Sequence, residues 1–324
     1  MLYSFSQLLD KVNGHIDALD YAREPMNLYE PVKYILSLGG KRIRPAMMLM
    51  AYNMYRNDVE RILDPALALE IYHNFTLLHD DLMDNADVRR GKPTVHKRWD
   101  ANTAILSGDV MLSLADVYMS HVDDACFREV MATFHKTSIE IAEGQQYDMD
   151  FESRADVTEE EYIEMIRLKT SVLLACALKI GAILGGASQE DAAHLYRLGE
   201  CIGLAFQLRD DYLDVYGDPK VFGKKIGGDI LCNKKTYLYI NALRLADKEQ
   251  RAVLDYWAAT DASPAEKIAA VTDIYNKVGL PGMSRSIEEH YYSLAKAELE
   301  ALSVSAEQKV VLRQFMAMLM ERDV

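Results

Sequence analysis

The sequence predicts an all-helical protein, on three observations. Stretches such as DPALALEIYHNFTLLHDDLMD and EEYIEMIRLKTSVLLACALKIGAIL run for 20 residues or more, with proline and glycine only near their ends. They are rich in Leu, Ala, Met and Glu, which lose little side-chain freedom in a helix. Proline is scarce, eight in 324 residues, and several fall where helices would begin. Neither regular strand-like alternation nor a strand–helix–strand rhythm is visible.

In order, helices are expected over 4–21, 26–37, 44–56, 59–86, 101–121, 124–148, 158–185, 189–217 and 231–246, with shorter ones beyond 250. Pro25, Pro31, Pro45 and Pro65 each suit a helix start or the turn before one. Loops are expected at Gly39 and Gly40, at 89–94, at 150–156, at Gly185 and Gly186, and at 219–228, where glycine, proline or charge interrupts the pattern. No long Gly-, Ser- or Pro-rich linker and no fixed-period repeat divides the chain, so residues 1–324 are expected to form a single domain.

Half of the residues are hydrophobic, enough for a sizeable core. The formal net charge is −14 and the pI about 5.1, which excludes a general nucleic-acid binder. An anionic small-molecule substrate stays open, because a local basic pocket can exist inside an acidic protein. Four cysteines without a CxxC pair point to reduced thiols and a cytoplasmic protein. The N-terminus, MLYSFSQLLDKVNGHID, lacks the basic-then-apolar pattern of a signal peptide, and no membrane span is expected.

One motif occurs twice: Asp-Asp-x-x-Asp, as Asp80, Asp81 and Asp84 and again as Asp210, Asp211 and Asp214. On a helix, positions i and i+4 lie about 40° apart. Asp80 with Asp84, and Asp210 with Asp214, therefore project as pairs from one face. Stacked acids repel each other and are costly in a core. A hard cation resolves both problems, and magnesium is the best match because it keeps waters and shares phosphate oxygens. If the two helices face each other, the acids can clamp several magnesium ions around a diphosphate. The alternative, a solvated acidic face, fits poorly with two copies flanked by Leu77, Leu78, Phe206 and Leu208.

Cations cluster at matching places. Gly39-Gly40-Lys41-Arg42-Ile43-Arg44-Pro45 precedes a helix, where glycines let backbone approach an anion and the helix start adds positive charge. Arg89-Arg90-Gly91-Lys92 follows the first acidic motif, and Lys169-Thr170, Lys224-Lys225 and Lys234-Lys235 come later. Arginine forks suit phosphate oxygens and lysines add point charge. His73 lies two turns before Asp80 on nearly the same face, as a structural hydrogen bonder or a member of the same site.

On the stretches GGKRIRP, LLHDDLMDNADVRRGKPTVH, EGQQYD, KT and FQLRDDYLDVYGD…FGKKIGGDI…NKKT, in that order, the chain resembles the trans-isoprenyl diphosphate synthases, or polyprenyl synthetases, of short-chain type. The resemblance covers residues from about 30 to 240. It implies a bundle of mainly antiparallel helices around a central cavity, usually as a homodimer. It implies condensation of isopentenyl diphosphate with an allylic diphosphate (dimethylallyl, geranyl or farnesyl), with three magnesium ions. By the same resemblance Asp80, Asp84, Asp210 and Asp214 hold metal, with Asp81 and Asp211 in support. Lys41, Arg44, His73 and Arg90 match positions for isopentenyl diphosphate. Arg89, Lys169, Thr170, Gln207, Lys224 and Lys234 match positions around the allylic diphosphate, where Thr170 and Gln207 also stabilise the carbocation. The released diphosphate takes the final proton.

Product length should be set upstream of Asp80. Phe75 lies about 7.5 Å and Tyr72 about 12 Å along the helix axis from it, both bulky, with small Thr76 beside them. In family terms this pattern resembles enzymes that make C20 or C15 products. Two further enzyme readings are a longer-chain polyprenyl diphosphate synthase and a class I terpene cyclase. The cyclase usually lacks the second full acidic motif and a second diphosphate site. A non-catalytic helical subunit would lack the metal aspartates, and all six are present.

Overall fold

The computed structural model describes residues 2–19, 23–218, 226–260 and 263–321. The described residues are helical apart from connections and one hairpin: α1 Phe5–Asp17, α2 Met26–Ser37, α3 Ile43–Asn53, a 3₁₀ turn Val59–Ile62, α4 Leu63–Met83, strands β1 Val88–Arg89 and β2 Lys92–Pro93, α5 Val95–Arg98, α6 Ala101–Met119, α7 Asp124–Ser153, α8 Glu159–Ile166, a π turn Arg167–Ser171, α9 Val172–Gly185, α10 Gln189–Tyr216, α11 Gly228–Leu231, α12 Tyr237–Leu245, α13 Lys248–Ala258, α14 Pro264–Lys277, α15 Leu280–Ala301 and α16 Ala306–Met320.

Several helix starts are written locally. Ser4 with Gln7, Thr158 with Glu161, and Asp247 with Gln250 form capping boxes that satisfy orphan N–H groups. Several expectations need correction, and α7 runs on to Ser153 into the loop expected over 150–156. The helix expected over 59–86 begins as a 3₁₀ turn and stops at Met83. There Asn85 turns left-handed (φ 49°) and the Ala86 N–H donates to the Asp81 carbonyl at 2.9 Å, a Schellman-type ending. The helix expected over 231–246 starts only at Tyr237, where Thr236 caps α12, and Gly228–Leu231 forms the separate short α11 before it. Pro31 lies inside α2 rather than at a start. The run Glu159–Gly185 contains an 18-residue window long and apolar enough for a membrane span (mean hydropathy 1.7), but 72% of that window is buried within the fold, as in a core helix.

Two compact units emerge. Unit 1 comprises Met1–His135, Cys176–Ala193 and Ser303–Leu312; unit 2 comprises Lys136–Ala175, His194–Leu302 and Arg313–Val324. In unit 1, α4 packs against α3 and most extensively against α6, while α2 lies against α6 and α1 against α3. Central placement explains why Ala66–Tyr72 are buried on every side of α4 rather than along one stripe. In unit 2, one cluster joins Phe151, Tyr162, Ile166, Leu204, Leu208 and Tyr237. A second joins Val215, Ile230, Leu238, Ile274 and Tyr275.

Candidate active site

In unit 1, the first acidic motif sits at the C-terminal end of α4: Asp80 and Asp81 in the last turn, Asp84 as the cap. That end of a helix already carries partial negative charge, so three carboxylates there raise the need for a cation. The three acids are not equivalent. Asp81 is 3% exposed, and its Oδ2 accepts from Arg89 Nε at 2.7 Å; Asp84 is exposed and Asp80 half-buried. Arg89 reaches back because the Arg-Arg-Gly stretch is a two-residue hairpin. Val88 pairs with Pro93 and Arg89 with Lys92, and Arg90 and Gly91 both take positive φ (51° and 75°), as a type I′ turn requires.

That turn directs Arg90 to the carbonyl of Gly39, to which its guanidinium donates. Arg44 joins the same cluster. Burial lowers its pKa to about 10, with Arg90 adding to the effect and Glu70 opposing it. Its Nε is buried with no protein acceptor. Burial, and then Arg44, Arg90, Arg89 and Arg42, hold the His73 imidazole well below its usual range. His73 is therefore a neutral donor or acceptor at pH 7. Lys41 is exposed on the loop before α3. Mutually repelling guanidinium groups beside an unmatched buried donor suit a polyanion.

Upstream on α4, Tyr72 is 2% exposed and packs edge-on against Phe134, with centroids 5.4 Å apart. Phe75 lies 5.5 Å from Tyr72 and 4.8 Å from His79. Thr76 donates to the His73 carbonyl at 2.8 Å. The aromatic steps expected from the sequence thus stack on one another, the lower one in the core.

In unit 2, the second motif occupies the last two turns of α10. Asp211 is 4% exposed; its Oδ1 accepts from Gln207 Nε2 at 3.0 Å and its Oδ2 from the buried Tyr162 hydroxyl. Burial and Asp229 push its pKa up to about 7, against Lys234, Tyr162 and Gln207. Asp214 Oδ2 accepts the N–H of Asp229 at 3.0 Å, fixing the start of α11. The π turn carries Lys169 and Thr170: Lys169 Nζ meets Asp148 Oδ2 at 2.6 Å, and Thr170 Oγ1 donates to Gln207 Oε1 at 3.2 Å. A π turn re-aims side chains off the helical register, here into one polar row. Two glycines allow it: a Cβ on Gly144 would stand 2.4 Å from Lys169 N, and one on Gly203 2.6 Å from Ser171 Cα. Desolvation would lower the Lys234 pKa, but Asp229, Asp148, Asp211 and Asp210 together raise it.

Unit 1 thus brings together Arg44, His73, Arg89, Arg90 and Asp81, and unit 2 brings together Lys169, Thr170, Gln207, Asp210, Asp211 and Lys234. Lys224 lies outside the described residues. Asp148 and Asp229 were missed as individual site residues, although EGQQYD and FGKKIGGDI contain them. Tyr162 and Glu70 belong to these networks without any distinctive spacing, and Arg42, inside GGKRIRP, had no role of its own assigned. Among the described residues, no three His, Cys, Asp or Glu side chains converge into a protein-only metal cage. Aspartate pairs at two negative helix ends suit instead a hard cation that takes one or two carboxylates and completes its shell with water and phosphate.

An all-helical fold with two acidic helix ends and an arginine–histidine cluster is the arrangement expected of a prenyltransferase of the isoprenoid synthase class. The polyprenyl synthetase family model matches residues 25–277. The geranylgeranyl diphosphate synthase of Methanosarcina mazei is 40% identical over 304 residues, 93% of this chain and 92% of that protein. A crystal structure of a geranylgeranyl pyrophosphate synthase, 42% identical, covers 100% of both chains with a TM-score of 0.94. That of the Corynebacterium glutamicum enzyme, complexed with isoprenyl diphosphate and magnesium, is 28% identical over 98% of both chains, with a TM-score of 0.85. The chain belongs to the polyprenyl synthetase family, and it is a short-chain trans-prenyltransferase.

Proposed function

We propose that this protein condenses isopentenyl diphosphate head-to-tail with dimethylallyl, geranyl and farnesyl diphosphate in turn, ending at the all-trans C20 diphosphate. The observation that carries this reading is the Arg44–His73–Arg90 cluster, with its buried unmatched Arg44 Nε, present in addition to two acidic helix ends. A cyclase ionises one diphosphate; a condensing enzyme must hold two. Lys41, Arg44, Arg90 and neutral His73 bind the diphosphate of isopentenyl diphosphate. Asp80 and Asp84 at the end of α4, and Asp210 and Asp214 on α10, would hold magnesium, three ions in this reading, which would supply charge neutralisation for the departing allylic diphosphate.

Lys169, Lys224 and Lys234 add preorganised positive charge for the same leaving group. The allylic C–O bond breaks with its electron pair going to the diphosphate. The oxygens of Thr170 and Gln207 offer negative dipole ends to the allylic cation. The double bond of isopentenyl diphosphate attacks the cation, forming the new C–C bond. A proton then leaves the former C2 of isopentenyl diphosphate and passes to the released diphosphate. Phe75 and Tyr72 stop the growing chain. The enzyme acts in the cytoplasm as a homodimer, a reading supported by its family, its four cysteines outside any disulfide and the exposed Ile105, Leu106 and Val117 on α6.

The test is incubation with isopentenyl diphosphate, magnesium and each allylic diphosphate in turn, followed by product mass. A linear C20 diphosphate is expected. A cyclic hydrocarbon, or no magnesium-dependent turnover, would overturn the reading.

A further inference from the structure

We propose that Arg42, Glu70 and Asn74 are positioning residues that set the affinity for isopentenyl diphosphate by holding the loop that carries Lys41 and leads into Arg44; this rests on the function proposed above. All three are buried, with Arg42 6%, Glu70 2% and Asn74 0% exposed. Arg42 Nη1 donates to Glu70 Oε1 at 2.5 Å, and Nη2 donates to the Leu36 carbonyl at 2.6 Å. One guanidinium fork therefore ties the C-terminal turn of α2 to the middle of α4. Its charge also matches the negative end of α2. Asn74 Nδ2 donates to Glu70 Oε1 at 2.9 Å and to the Glu70 carbonyl at 2.8 Å, which fixes the carboxylate's rotamer. Asn74 Oδ1 is buried without a donor. That costs stability, so an apolar side chain would suit the core better, and the bond to Glu70 is what the amide contributes.

The loop needs holding. Gly39, Gly40 and Arg42 all have positive φ (80°, 145° and 47°), and Arg42, as a non-glycine residue there, is strained. Arg90 holds the other side: it donates to the Gly39 carbonyl, and a Cβ on Gly40 would stand 2.9 Å from Arg90 Nη2. The loop is thus fastened by two arginines, one of which lies in the proposed diphosphate pocket.

The charges sort accordingly. Four arginines, Arg42, Arg44, Arg89 and Arg90, act on His73. Glu70 pairs with Arg42 and Asp81 with Arg89. Among the described residues Arg44 and Arg90 form no ion pair with a carboxylate, and they are the two assigned to the anion. Glu70 keeps Arg42 as a prop instead of a third substrate ligand.

Steady-state kinetics of the full chain tests this. Arg42→Lys keeps the charge but cannot form the fork. It should raise KM for isopentenyl diphosphate about tenfold, as expected for one lost charge-assisted hydrogen bond, and leave kcat and KM for farnesyl diphosphate within about twofold. Glu70→Gln keeps the shape without the charge and should shift the same KM in the same direction by about threefold; it carries the test if Arg42→Lys does not fold. Equal shifts in both KM values, or a fall in kcat with KM for isopentenyl diphosphate unchanged, would assign the trio to the core alone and overturn the proposal. Wild-type protein that does not turn over isopentenyl diphosphate would overturn the proposed function instead.

Discussion

Replacing Gly144 by alanine probes whether the π turn must sit where it does. The added methyl would stand 2.4 Å from Lys169 N and 2.8 Å from Leu168 C, whereas ordinary contact begins at 3.4 Å. Both atoms are backbone, so no side chain can swing aside; α7 and the π turn must part by about 1 Å. Overpacking of this kind costs about 1–3 kcal/mol. The displacement falls on the segment that holds the Lys169–Asp148 pair at 2.6 Å and the Thr170–Gln207 bond at 3.2 Å. A misplacement of about 1 Å in a catalytic array lowers turnover by about 10²-fold. The assay pairs a melting curve with kcat for magnesium-dependent condensation of isopentenyl and farnesyl diphosphates. Gly144→Ala should melt several degrees lower and lose about two orders of magnitude in kcat. A lower melting temperature with wild-type kcat would refute the link between the π turn and chemistry.

Further outcomes follow from the same geometry. Phe75→Ala should lengthen the product, read by mass; Tyr72→Ala should lengthen it further but cost about 3–5 kcal/mol, since Tyr72 is 2% exposed against Phe134. Unchanged lengths in both single variants and the double variant would sink the aromatic-stop reading. Because the folded His73 pKa lies below 6.5, the unfolded chain takes up that proton first. Its contribution is fully present above pH 6.5 and is lost as pH falls toward the folded value, by at most about 1.4 kcal/mol per unit. Urea midpoints from pH 7.5 down should therefore fall less steeply in His73→Gln. Tyr162→Phe removes one of the two donors to Asp211 and should cost about 1–3 kcal/mol, seen as a lower urea midpoint. Chelating magnesium should abolish turnover, and Asp80→Ala or Asp210→Ala should each lower kcat by at least about 10²-fold.

Helix content and order were legible because amphipathic or wholly apolar periodicity and local caps act over a few residues. The 26–37 helix runs from Met26 to Ser37 as read, and the 189–217 helix ends at Tyr216. Boundaries slipped where the deciding contact was not periodic. Asn85 ends α4 through a left-handed backbone, and Thr236 restarts a helix that composition alone would have continued. The aspartates and the arginine–glycine stretches were legible because hard-cation and phosphate chemistry demands particular residue types at particular spacings. Asp148 and Asp229 were not singled out, since a lone acid in an acidic chain carries no spacing signal.

The sequence by itself determined the fold class, the two acidic helix segments and the chemistry they imply, since residue type and i, i+4 spacing need no tertiary information. Only the tertiary structure divided labour within each motif. It buried Asp81 against Arg89 and Asp211 against Tyr162 and Gln207. It also sorted four arginines into two paired with carboxylates and two without such a pair among the described residues, and it wound residues 167–171 as a π turn pressed against Gly144 and Gly203. The physical reason is that burial and pairing are properties of what a side chain meets across the chain. Apart from Gln207, one helical turn before Asp211, the partners of these residues lie eight to 49 positions away in sequence, where local propensity has no reach.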